Sequence, residues 1–419
     1  MTMSRRIPVV ICGAGPTGLT LSALLSRAGV QSVLLEKEQD LSDHPQAHFI
    51  NLRSMEIFRH CLGGLDKSVF AASPPKAQWS DFVVCSSVLG RELARVDNFK
   101  NDAVRMGQRV TSVEAARSSS AQGPAVTVAD AATGAREVVL CDYLVAADGA
   151  HSSVRTACGG GPGGPGQILG QAGLGSMVNI HFTSPDLGDW LKREGRRPGM
   201  LYFVYRPEVV CVMVAHDVER GEYACHVPFF PPFERKEMFT PEKALETVRY
   251  ALGVQAGSAK APHIQLVTAR PWTMGAQVAR SYQPVPRVFL AGDAAHQFPP
   301  SGGFGMNAGI QDAHNLAWKL AEVVQGRADA ALLSTYSSER RPCAASTAAV
   351  SVLNLRRSLR VAEALGIDPD APAALARLLG ASPDHPGSSA AWAAGKAAMA
   401  VGRRHLRQAL SGSTLQVLI

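Results

Sequence analysis

The sequence Val288-Phe289-Leu290-Ala291-Gly292-Asp293-Ala294-Ala295-His296 leads into the loop Pro299-Pro300-Ser301-Gly302-Gly303-Phe304-Gly305-Met306-Asn307. Its apolar beginning is typical of a buried strand, and the residues after the loop, 308–324, have the spacing of an amphipathic helix. Such a unit brings a carboxylate, a glycine backbone that permits close approach and a helix N-terminus to one point. A Gly-Asp pair alone is common, so its meaning depends on the rest of the chain.

A second motif, near the N-terminus, has the features of a dinucleotide-binding turn. The run Gly13-Ala14-Gly15-Pro16-Thr17-Gly18 lies between an apolar stretch, residues 7–12, and a helix-like stretch, residues 19–28. In such a turn the first glycine makes the bend, the second lets the backbone reach a pyrophosphate, and the third allows helix to pack on strand. Glu36 ends the next strand-like run, where a carboxylate would bind ribose hydroxyls, which favours FAD or NAD over NADP at this site.

A third motif lies between these two. The strand-like run 138–147 ends in Asp148-Gly149, and Ser152 and Ser153 follow as helix-capping residues. Taken alone, this pattern is equally consistent with an ordinary strand, turn and helix start.

With all three motifs in this order, the chain resembles the flavin-dependent aromatic hydroxylases of the para-hydroxybenzoate hydroxylase type, from about Ile7 to Arg341. The resemblance implies an α/β fold: a Rossmann-like FAD-binding domain, an inserted antiparallel β-sheet substrate domain and a helical C-terminal part. FAD would be held by Gly13, Gly15, Pro16, Thr17, Gly18, Glu36, Lys37, Gln46, Asp148, Gly149, Gly292, Asp293, Pro300, Gly302, Gly303, Gly305, Met306 and Asn307.

The same resemblance implies the chemistry. NADPH or NADH would bind transiently and reduce the flavin, O2 would form a flavin hydroperoxide, and a phenolic or polycyclic aromatic substrate would be hydroxylated. Because the cofactor does this chemistry, the protein positions groups and excludes water, and Pro300 in the flavin loop is the one catalytic candidate. His296 is interpreted as a hydrogen-bonded histidine of the turn rather than as a base.

The expected FAD-binding domain is discontinuous, with residues 1–72, 104–160 and 285–345. The substrate domain comprises 73–103 and 161–284, and residues 346–419 form a helical C-terminal segment. The glycine-rich run 159–166 is interpreted as a flexible linker. Five strand-like runs between 177 and 269 are expected to form one antiparallel sheet. On it, five side chains are candidates to line the substrate site, although each alone is better explained as core: Tyr202, Phe203, Tyr205, Met213 and Phe229.

Three features depart from the family pattern. Between Phe99 and Val104 relatives carry an additional strand and helix that contribute a flavin-contacting glutamine, and Gln46 stands where many have an arginine. The larger members also have a thioredoxin-like C-terminal domain, which is not expected here. A flavin dehydrogenase or reductase of the same fold, and a degenerate FAD-binding protein without turnover, therefore stay open as alternatives. A halogenase is disfavoured because no W-x-W-x-I-P motif occurs.

Composition narrows the classes of partner and compartment. The formal net charge is +7, but the basic residues are dispersed, which argues against nucleic-acid binding. The eight cysteines have neither metal-ligand nor disulfide spacing, so no metal site is expected. We expect the protein to function in a reducing compartment, the cytoplasm. No secretory signal or membrane-spanning segment is expected. A homodimer is a possibility that the sequence leaves open.

Overall fold

The computed structural model describes residues 6–38, 47, 49–73, 81–97, 109–114, 123–129, 136–206, 208–229, 235–254 and 261–364. The strands are β1 (Ile7–Cys12), β2 (Ser32–Leu35), β3 (Asp81–Cys85), β4 (Glu92–Asp97), β5 (Arg109–Glu114), β6 (Ala125–Ala129), β7 (Arg136–Ala146), β8 (Ile168–Thr183), β9 (Leu201–Tyr205), β10 (Val210–Asp217), β11 (Glu222–Phe229), β12 (Gln265–Ala279), β13 (Val288–Leu290) and β14 (His296–Gln297). The helices are α1 (Pro16–Arg27), α2 (Leu52–Cys61), α3 (Leu65–Ala71), α4 (Ser153–Ala157), α5 (Leu187–Arg193), α6 (Pro241–Leu252), α7 (Phe304–Val324) and α8 (Ser334–Ala364).

The strands form two sheets. In the first sheet β2, β1, β7 and β13 run parallel, and β7 also pairs antiparallel with β6, which pairs with β5. The second sheet has the order β14-β12-β8-β11-β10-β9-β3-β4. Together with the long helices that follow β13, these two sheets confirm the predicted fold class.

Each sheet has its own hydrophobic core. Helices α1, α7 and α8 contribute to the core of the parallel sheet, for example through Leu21, Leu316 and Tyr336. Helices α5 and α6 cover one face of the second sheet through Leu191 and Val248. Because parallel strands are buried on both faces, β1 and β13 read as continuous apolar runs, which is why the sequence identifies them.

Local sequence signals explain where several helices begin and end. Pro16 and Pro241 occupy the first turn of α1 and α6, where no backbone N–H is needed. The Thr240 hydroxyl accepts a hydrogen bond from the Lys243 N–H, and Gly253 ends α6 in the left-handed conformation. Helix α7 begins at Phe304 instead of the expected Ala308, because Gly303 adopts a left-handed N-cap conformation with φ of 63°.

The second sheet differs from its prediction in two respects. The expected runs all join one sheet, but β3 pairs parallel with β9, so the sheet is not purely antiparallel. Strand β14, expected in the FAD-binding domain, pairs with β12 at the edge of this sheet. The expected boundary between residues 345 and 346 falls inside α8. The other domain boundaries stay predictions.

The interpretation of residues 159–166 as a flexible linker is wrong. The Gly166 N–H donates to the Gly159 carbonyl at 3.1 Å, and the Gly164 N–H donates to the Gly161 carbonyl at 3.0 Å. A Cβ on Gly164 would lie 2.1 Å from the Gly159 oxygen, and one on Gly166 would lie 2.4 Å from the Arg155 oxygen. The glycines therefore permit a compact turn packed against α4.

Within the described residues, no helix has the length and apolarity needed to cross a membrane.

Candidate cofactor site

Four strand ends bring the three sequence motifs to one edge of the parallel sheet. The Gly13 N–H donates to the Leu35 carbonyl at 2.6 Å, and the Ala147 N–H donates to the Cys12 carbonyl at 2.7 Å. The Ala291 N–H continues this row to the Ala146 carbonyl at 2.9 Å. Since parallel strands present their carboxyl ends on the same side, residues that are far apart in sequence line one crevice.

The glycines of the N-terminal turn have different reasons to be glycine. Gly13 has φ of 98°, and a Cβ there would lie 2.2 Å from the Ala147 oxygen, so packing against β7 requires glycine. A Cβ on Gly18 would lie 1.9 Å from the Gly13 oxygen, which reflects the close contact of α1 with the turn. A Cβ on Gly15 would meet nothing within 4 Å. The backbone of Gly15 is thus accessible to a ligand at close range.

Glu36 lies beside this turn. Its Oε2 accepts a hydrogen bond from the Ala14 N–H at 2.7 Å, and its Oε1 accepts one from the Lys37 N–H at 2.8 Å. The carboxylate is therefore fixed at the end of β2 next to the glycine turn, with lone pairs left for a hydroxyl. Lys37 is exposed, and its ammonium lies 3.3 Å from Glu38 Oε1. Gln46 and the segment between Phe99 and Val104 lie outside the described residues.

In the first aspartate turn, Asp148–Gly149, the carboxylate bonds the N-terminus of the helix that follows it, α4. Asp148 Oδ2 accepts hydrogen bonds from the Ser153 N–H at 2.9 Å and the Ser153 hydroxyl at 3.1 Å, and Ser152 caps α4. Its Oδ1 is buried, and no hydrogen bond to a described residue satisfies it. A Cβ on Gly149, which has φ of 82°, would meet nothing within 4 Å. Beside a capped helix end, this turn therefore leaves an open surface at Gly149.

The second aspartate turn, Gly292–Ala294, is a short 3-10 helix. No described residue donates a hydrogen bond to the Asp293 carboxylate, and the side chain is exposed. The surrounding protein nevertheless raises the pKa of Asp293 by desolvation, which His296 opposes. The Asp293 carboxylate is therefore accessible, and its surroundings disfavour its charged form. A Cβ on Gly305, in the first turn of α7, would lie 4.0 Å from Asp293 Oδ1.

The loop before α7 gives mixed results for the candidate residues. Pro300 and Gly302 are exposed. Gly303, the N-cap of α7, provides no side-chain acceptor, so the first-turn N–H groups of α7 can donate to a ligand. The buried Asn307 side chain instead bonds the backbone of Phe49, Asn51 and Gly303 and the Ser54 hydroxyl. Its hydrogen-bonding capacity is used up by the protein, so only the backbone of Asn307 can contact a ligand.

Two further candidates have side chains that pack inside the protein. Met306 packs against the small cluster formed by α2, α3 and Ile310. The Thr17 side chain fills the contact between α1 and α7. A Cβ on Gly309 would lie 2.1 Å from its Oγ1, and a Cβ on Gly292 would lie 2.6 Å from it. The Thr17 side chain is 9% exposed, so this residue offers the crevice mainly its backbone, whereas the Met306 side chain is only partly buried.

Sequence reasoning missed the buried polar side chains behind the second aspartate turn. Asp312 Oδ2 lies 2.8 Å from His296 Nε2, and Arg340 Nε donates to Asp312 Oδ1 at 2.8 Å. Burial lowers the pKa of Arg340, but the charge and hydrogen bond of Asp312 offset this, and the pKa lies above its usual value. The one available signal was a charged residue within an otherwise apolar helix face. The expected hydrogen bond of His296 is present at Nε2, whereas its buried Nδ1 has no hydrogen-bond partner among the described residues.

Arg155 links the two aspartate turns. Its Nη2 donates to the Ala150 carbonyl at 2.7 Å, and its Nη1 donates to the Ala294 carbonyl at 2.8 Å. Burial lowers the pKa of this guanidinium, and the Asp148 carboxylate opposes that shift. Arg155 is only 8% exposed, so it supports the crevice from within.

The sequence profile of the FAD binding domain family matches residues 6–101 and 94–351. The chain belongs to this family. FAD is accordingly its cofactor, and the crevice fits it: Gly15 offers a cradle that a Cβ would fill, and the Asp293 carboxylate is an acceptor with no described donor. Among the described residues, no three His, Cys, Asp or Glu side chains are grouped so as to hold a metal ion.

Proteins with sequences similar to this chain are named as monooxygenases and hydroxylases. Tetracenomycin A2 monooxygenase-dioxygenase of Streptomyces glaucescens is 35% identical over 399 residues, which cover 82% of this chain and 67% of the relative. Aklavinone 12-hydroxylase of Streptomyces purpurascens is 32% identical, over 81% of this chain and 66% of the relative. The chain spans 57–67% of the length of the five Streptomyces relatives compared.

Solved structures show the same likeness. A flavin-dependent monooxygenase, PieE, solved with FAD and substrate, superimposes with a TM-score of 0.74 at 27% identity, covering 95% of this chain and 72% of the other. Aklavinone-11 hydroxylase, solved with FAD and aklavinone, gives a TM-score of 0.71 at 29% identity, covering 84% and 69% of the two chains. The predicted resemblance to flavin-dependent aromatic hydroxylases is confirmed at the level of the family.

Proposed function

We propose that this protein is an FAD-dependent monooxygenase that hydroxylates a phenolic or polycyclic aromatic compound with NAD(P)H and O2. The observation that carries the proposal is the convergence of the three motifs on one crevice, in a family whose similar members are named as hydroxylases and monooxygenases. The chain is shorter than those relatives, so activity, substrate and partners are inferred from the crevice and its surroundings.

Within this proposal, the backbone at Gly13, Gly15 and Gly18 receives the pyrophosphate of FAD, and Glu36 receives the adenosine ribose. The Asp293 carboxylate accepts hydrogen bonds from the ribityl hydroxyls. The first-turn N–H groups of α7 and the glycines of its preceding loop face the isoalloxazine edge that becomes negative on reduction, which a helix N-terminus stabilises. Pro300 limits the conformations of that loop.

The second sheet supplies a candidate wall for the substrate. On the face opposite α5 and α6, a small apolar cluster contains Leu201, Val214, Phe203 and Phe82, the last two in edge-to-face contact with ring centroids 6.2 Å apart. Such a surface suits a flat aromatic compound. Three of the other lining candidates, Tyr202, Met213 and Phe229, instead belong to the core on the α5 and α6 side of the sheet.

Polar groups adjoin this apolar cluster. Asn179 pairs with His226 across β8 and β11 in the same row as Val212 of β10, so their side chains share the face of Phe203. Asn179 is 7% exposed, and no hydrogen bond from a described residue satisfies its Oδ1. A substrate with an apolar ring system and one hydroxyl-bearing edge would match both parts, because its hydroxyl would satisfy a buried acceptor.

Bound FAD supplies hydride acceptance and oxygen activation, and the protein supplies the arrangement. Asp293 and the α7 N-terminus would orient the ring system, and the loop Pro299–Gly303 would cover it. The apolar cluster excludes water from the reacting ring and thereby protects the oxygenating species. The other G-x-G-x-x-G match, Gly159–Gly164, lies between a helix and a strand and opens no helix, so it does not form a second dinucleotide turn. We therefore propose that NAD(P)H binds transiently from the side near Gly149 and Pro300.

The test is NAD(P)H oxidation and oxygen consumption by the FAD-loaded protein against a panel of phenols and polycyclic phenols. We expect one compound class to accelerate flavin reduction by at least about tenfold, equal to roughly 1.4 kcal/mol of barrier, and to gain one 18O atom from 18O2. Equally fast reduction with and without every phenol would favour a dehydrogenase or reductase. FAD binding without any NAD(P)H oxidation would favour a protein without turnover.

We further propose that the protein functions in the cytoplasm. Support comes from its eight cysteines, all free thiols and six of them buried, which a reducing compartment preserves. The oligomeric state stays open between monomer and homodimer.

A further inference from the structure

The second aspartate turn is held from behind on both sides of Asp293. The Gly292 N–H donates to Asp312 Oδ2 at 3.2 Å, and the Ala294 carbonyl accepts from Arg155 Nη1 at 2.8 Å. These two contacts come from different helices, α7 and α4. The residues flanking Asp293 are therefore tied to the protein interior, while its own carboxylate projects into the crevice.

Asp312 is itself immobilised. Arg340 Nε engages Oδ1 at 2.8 Å, and His296 Nε2 lies 2.8 Å from Oδ2. The side chains of Asp312 and His296 have no solvent exposure. Because both carboxylate oxygens are engaged, the side chain cannot rotate without breaking a buried charged hydrogen bond.

Gly292 needs such a restraint. It adopts φ of 59°, a left-handed conformation, and glycine has more conformational alternatives than any other residue. Rotation about the Gly292 backbone would swing the Asp293 side chain out of the crevice. The hydrogen bond to Asp312 selects one of these alternatives before a ligand arrives.

We infer that Asp312 is a positioning residue for FAD: through the Gly292 N–H it presets the Asp293 carboxylate in the crevice. This inference rests on the proposed contact of Asp293 with FAD. Asp312 does not touch the cofactor, and its contribution to affinity comes from preorganisation of the group that does.

A purely structural role for Asp312 is the competing explanation, because the residue also joins α7 to α8. The chain offers a matched control for that role. Lys319 on α7 and Glu339 on α8 form a second ion pair between the same helices, with Nζ and Oε2 2.7 Å apart and Lys319 buried. In the described structure, the hydrogen bonds of these two side chains join α7 to α8 and do not involve the second aspartate turn.

The experiment compares Asp312→Asn, Glu339→Gln, Asp293→Ala and the double variant Asp312→Asn/Asp293→Ala. The dissociation constant of FAD is measured from the fluorescence released on serial dilution of each holoprotein, and unfolding midpoints are measured with excess FAD. In Asp312→Asn, the new side-chain amide would present an N–H group to either Gly292 or Arg340, so we expect FAD to bind about tenfold more weakly. Glu339→Gln should lower the unfolding midpoint and leave the dissociation constant within about twofold.

The double variant separates positioning from general weakening. If Asp312 acts through Asp293, its substitution adds little once the Asp293 carboxylate is gone, and the two losses do not multiply. Multiplying losses, or an Asp312→Asn effect on FAD no larger than that of Glu339→Gln, would overturn the inference. An unchanged dissociation constant in Asp293→Ala would instead overturn the proposed FAD contact on which it rests.

Arg340→Lys provides a second variant should Asp312→Asn not fold. Lysine keeps the charge but loses the rigid planar geometry of the guanidinium at Asp312 Oδ1. We expect a smaller loss of FAD affinity, about threefold, which again disappears in the Asp293→Ala background. An Arg340→Lys protein with unchanged FAD affinity and a lowered unfolding midpoint would assign this network to stability alone.

Discussion

The two aspartate turns look alike in sequence and are used differently in the structure. Asp148 and Asp293 each follow a buried parallel strand and lie next to a glycine. Asp148 Oδ2 accepts hydrogen bonds from the N-terminus of α4, whereas no described residue donates a hydrogen bond to Asp293. A carboxylate at a strand end is thus a candidate ligand group only when the following helix does not consume it.

The difference comes from the residues that follow each aspartate. Four positions after Asp148, Ser152 caps α4 and places the Ser153 N–H within reach of the carboxylate. After Asp293 the chain continues into β14 and the Pro299–Gly303 loop before α7 begins, so no helix end is close in sequence. Asp312 and Arg155 then hold the turn from outside, and the Asp293 carboxylate receives no hydrogen bond from a described residue.

The largest expected effect breaks the comparison at Asp293. Asp293→Ala should weaken FAD binding by about 5- to 150-fold, because ribityl hydroxyls buried without an acceptor cost about 1–3 kcal/mol. The unfolding midpoint of the FAD-free protein should not fall, since no described group loses a hydrogen bond and a desolvated carboxylate is removed. FAD affinity is measured by dilution of the holoprotein. An unchanged affinity together with a lowered midpoint would show that Asp293 is used as Asp148 is.

The reciprocal change at Asp148 should act on stability first. Asp148→Ala removes the acceptor for the first N–H groups of α4 and should cost about 1 kcal/mol of unfolding free energy in the FAD-free protein. Its effect on FAD affinity should be smaller than that of Asp293→Ala. Urea unfolding of the FAD-free protein measures the first quantity, with Asp148→Asn, which retains an acceptor oxygen, as the control. If Asp148→Ala lowers FAD affinity more than Asp293→Ala does, the assignment of the two turns must be exchanged.

The predictable part of this molecule is what the chain specifies within one strand–turn–helix unit. Gly13 and Gly18 could be assigned because each permits a contact with a neighbour in the same motif or the adjoining strand. Runs of β-branched and apolar residues identified β1, β2, β7 and β13. These signals act over a few residues, and they were enough to locate the crevice.

The unpredicted part depends on packing between distant elements. Asp312 and Arg340 meet because α7 and α8 pack side by side, and no local pattern encodes that contact. The parallel pairing of β3 with β9 joins segments more than one hundred residues apart, and alternation within a strand does not specify its partner. The glycines of 159–166 were misinterpreted because a sequence does not distinguish glycine needed for close packing from glycine in a linker.

The smallest expected effect concerns the pH dependence of the FAD-free protein. Desolvation raises the pKa of Asp293 above its usual value of 3.8, and His296 opposes this shift. The folded protein then binds more protons at Asp293 than the unfolded chain does, so the contribution of Asp293 to stability falls as the pH rises from about 4 through the raised pKa. Asp293→Asn removes this contribution.

Urea unfolding of the FAD-free wild-type and Asp293→Asn proteins at several pH values between about 4 and 7 tests this sign. We expect the stability of the variant relative to the wild type to increase with pH in that window and then to stay constant. Excess FAD should reverse the order at neutral pH, because only the wild-type carboxylate can accept hydrogen bonds through both of its oxygens and so gains more binding energy. A relative stability that decreases with pH in the FAD-free proteins would mean that a donor already stabilises the Asp293 carboxylate, and the contrast with Asp148 would then disappear.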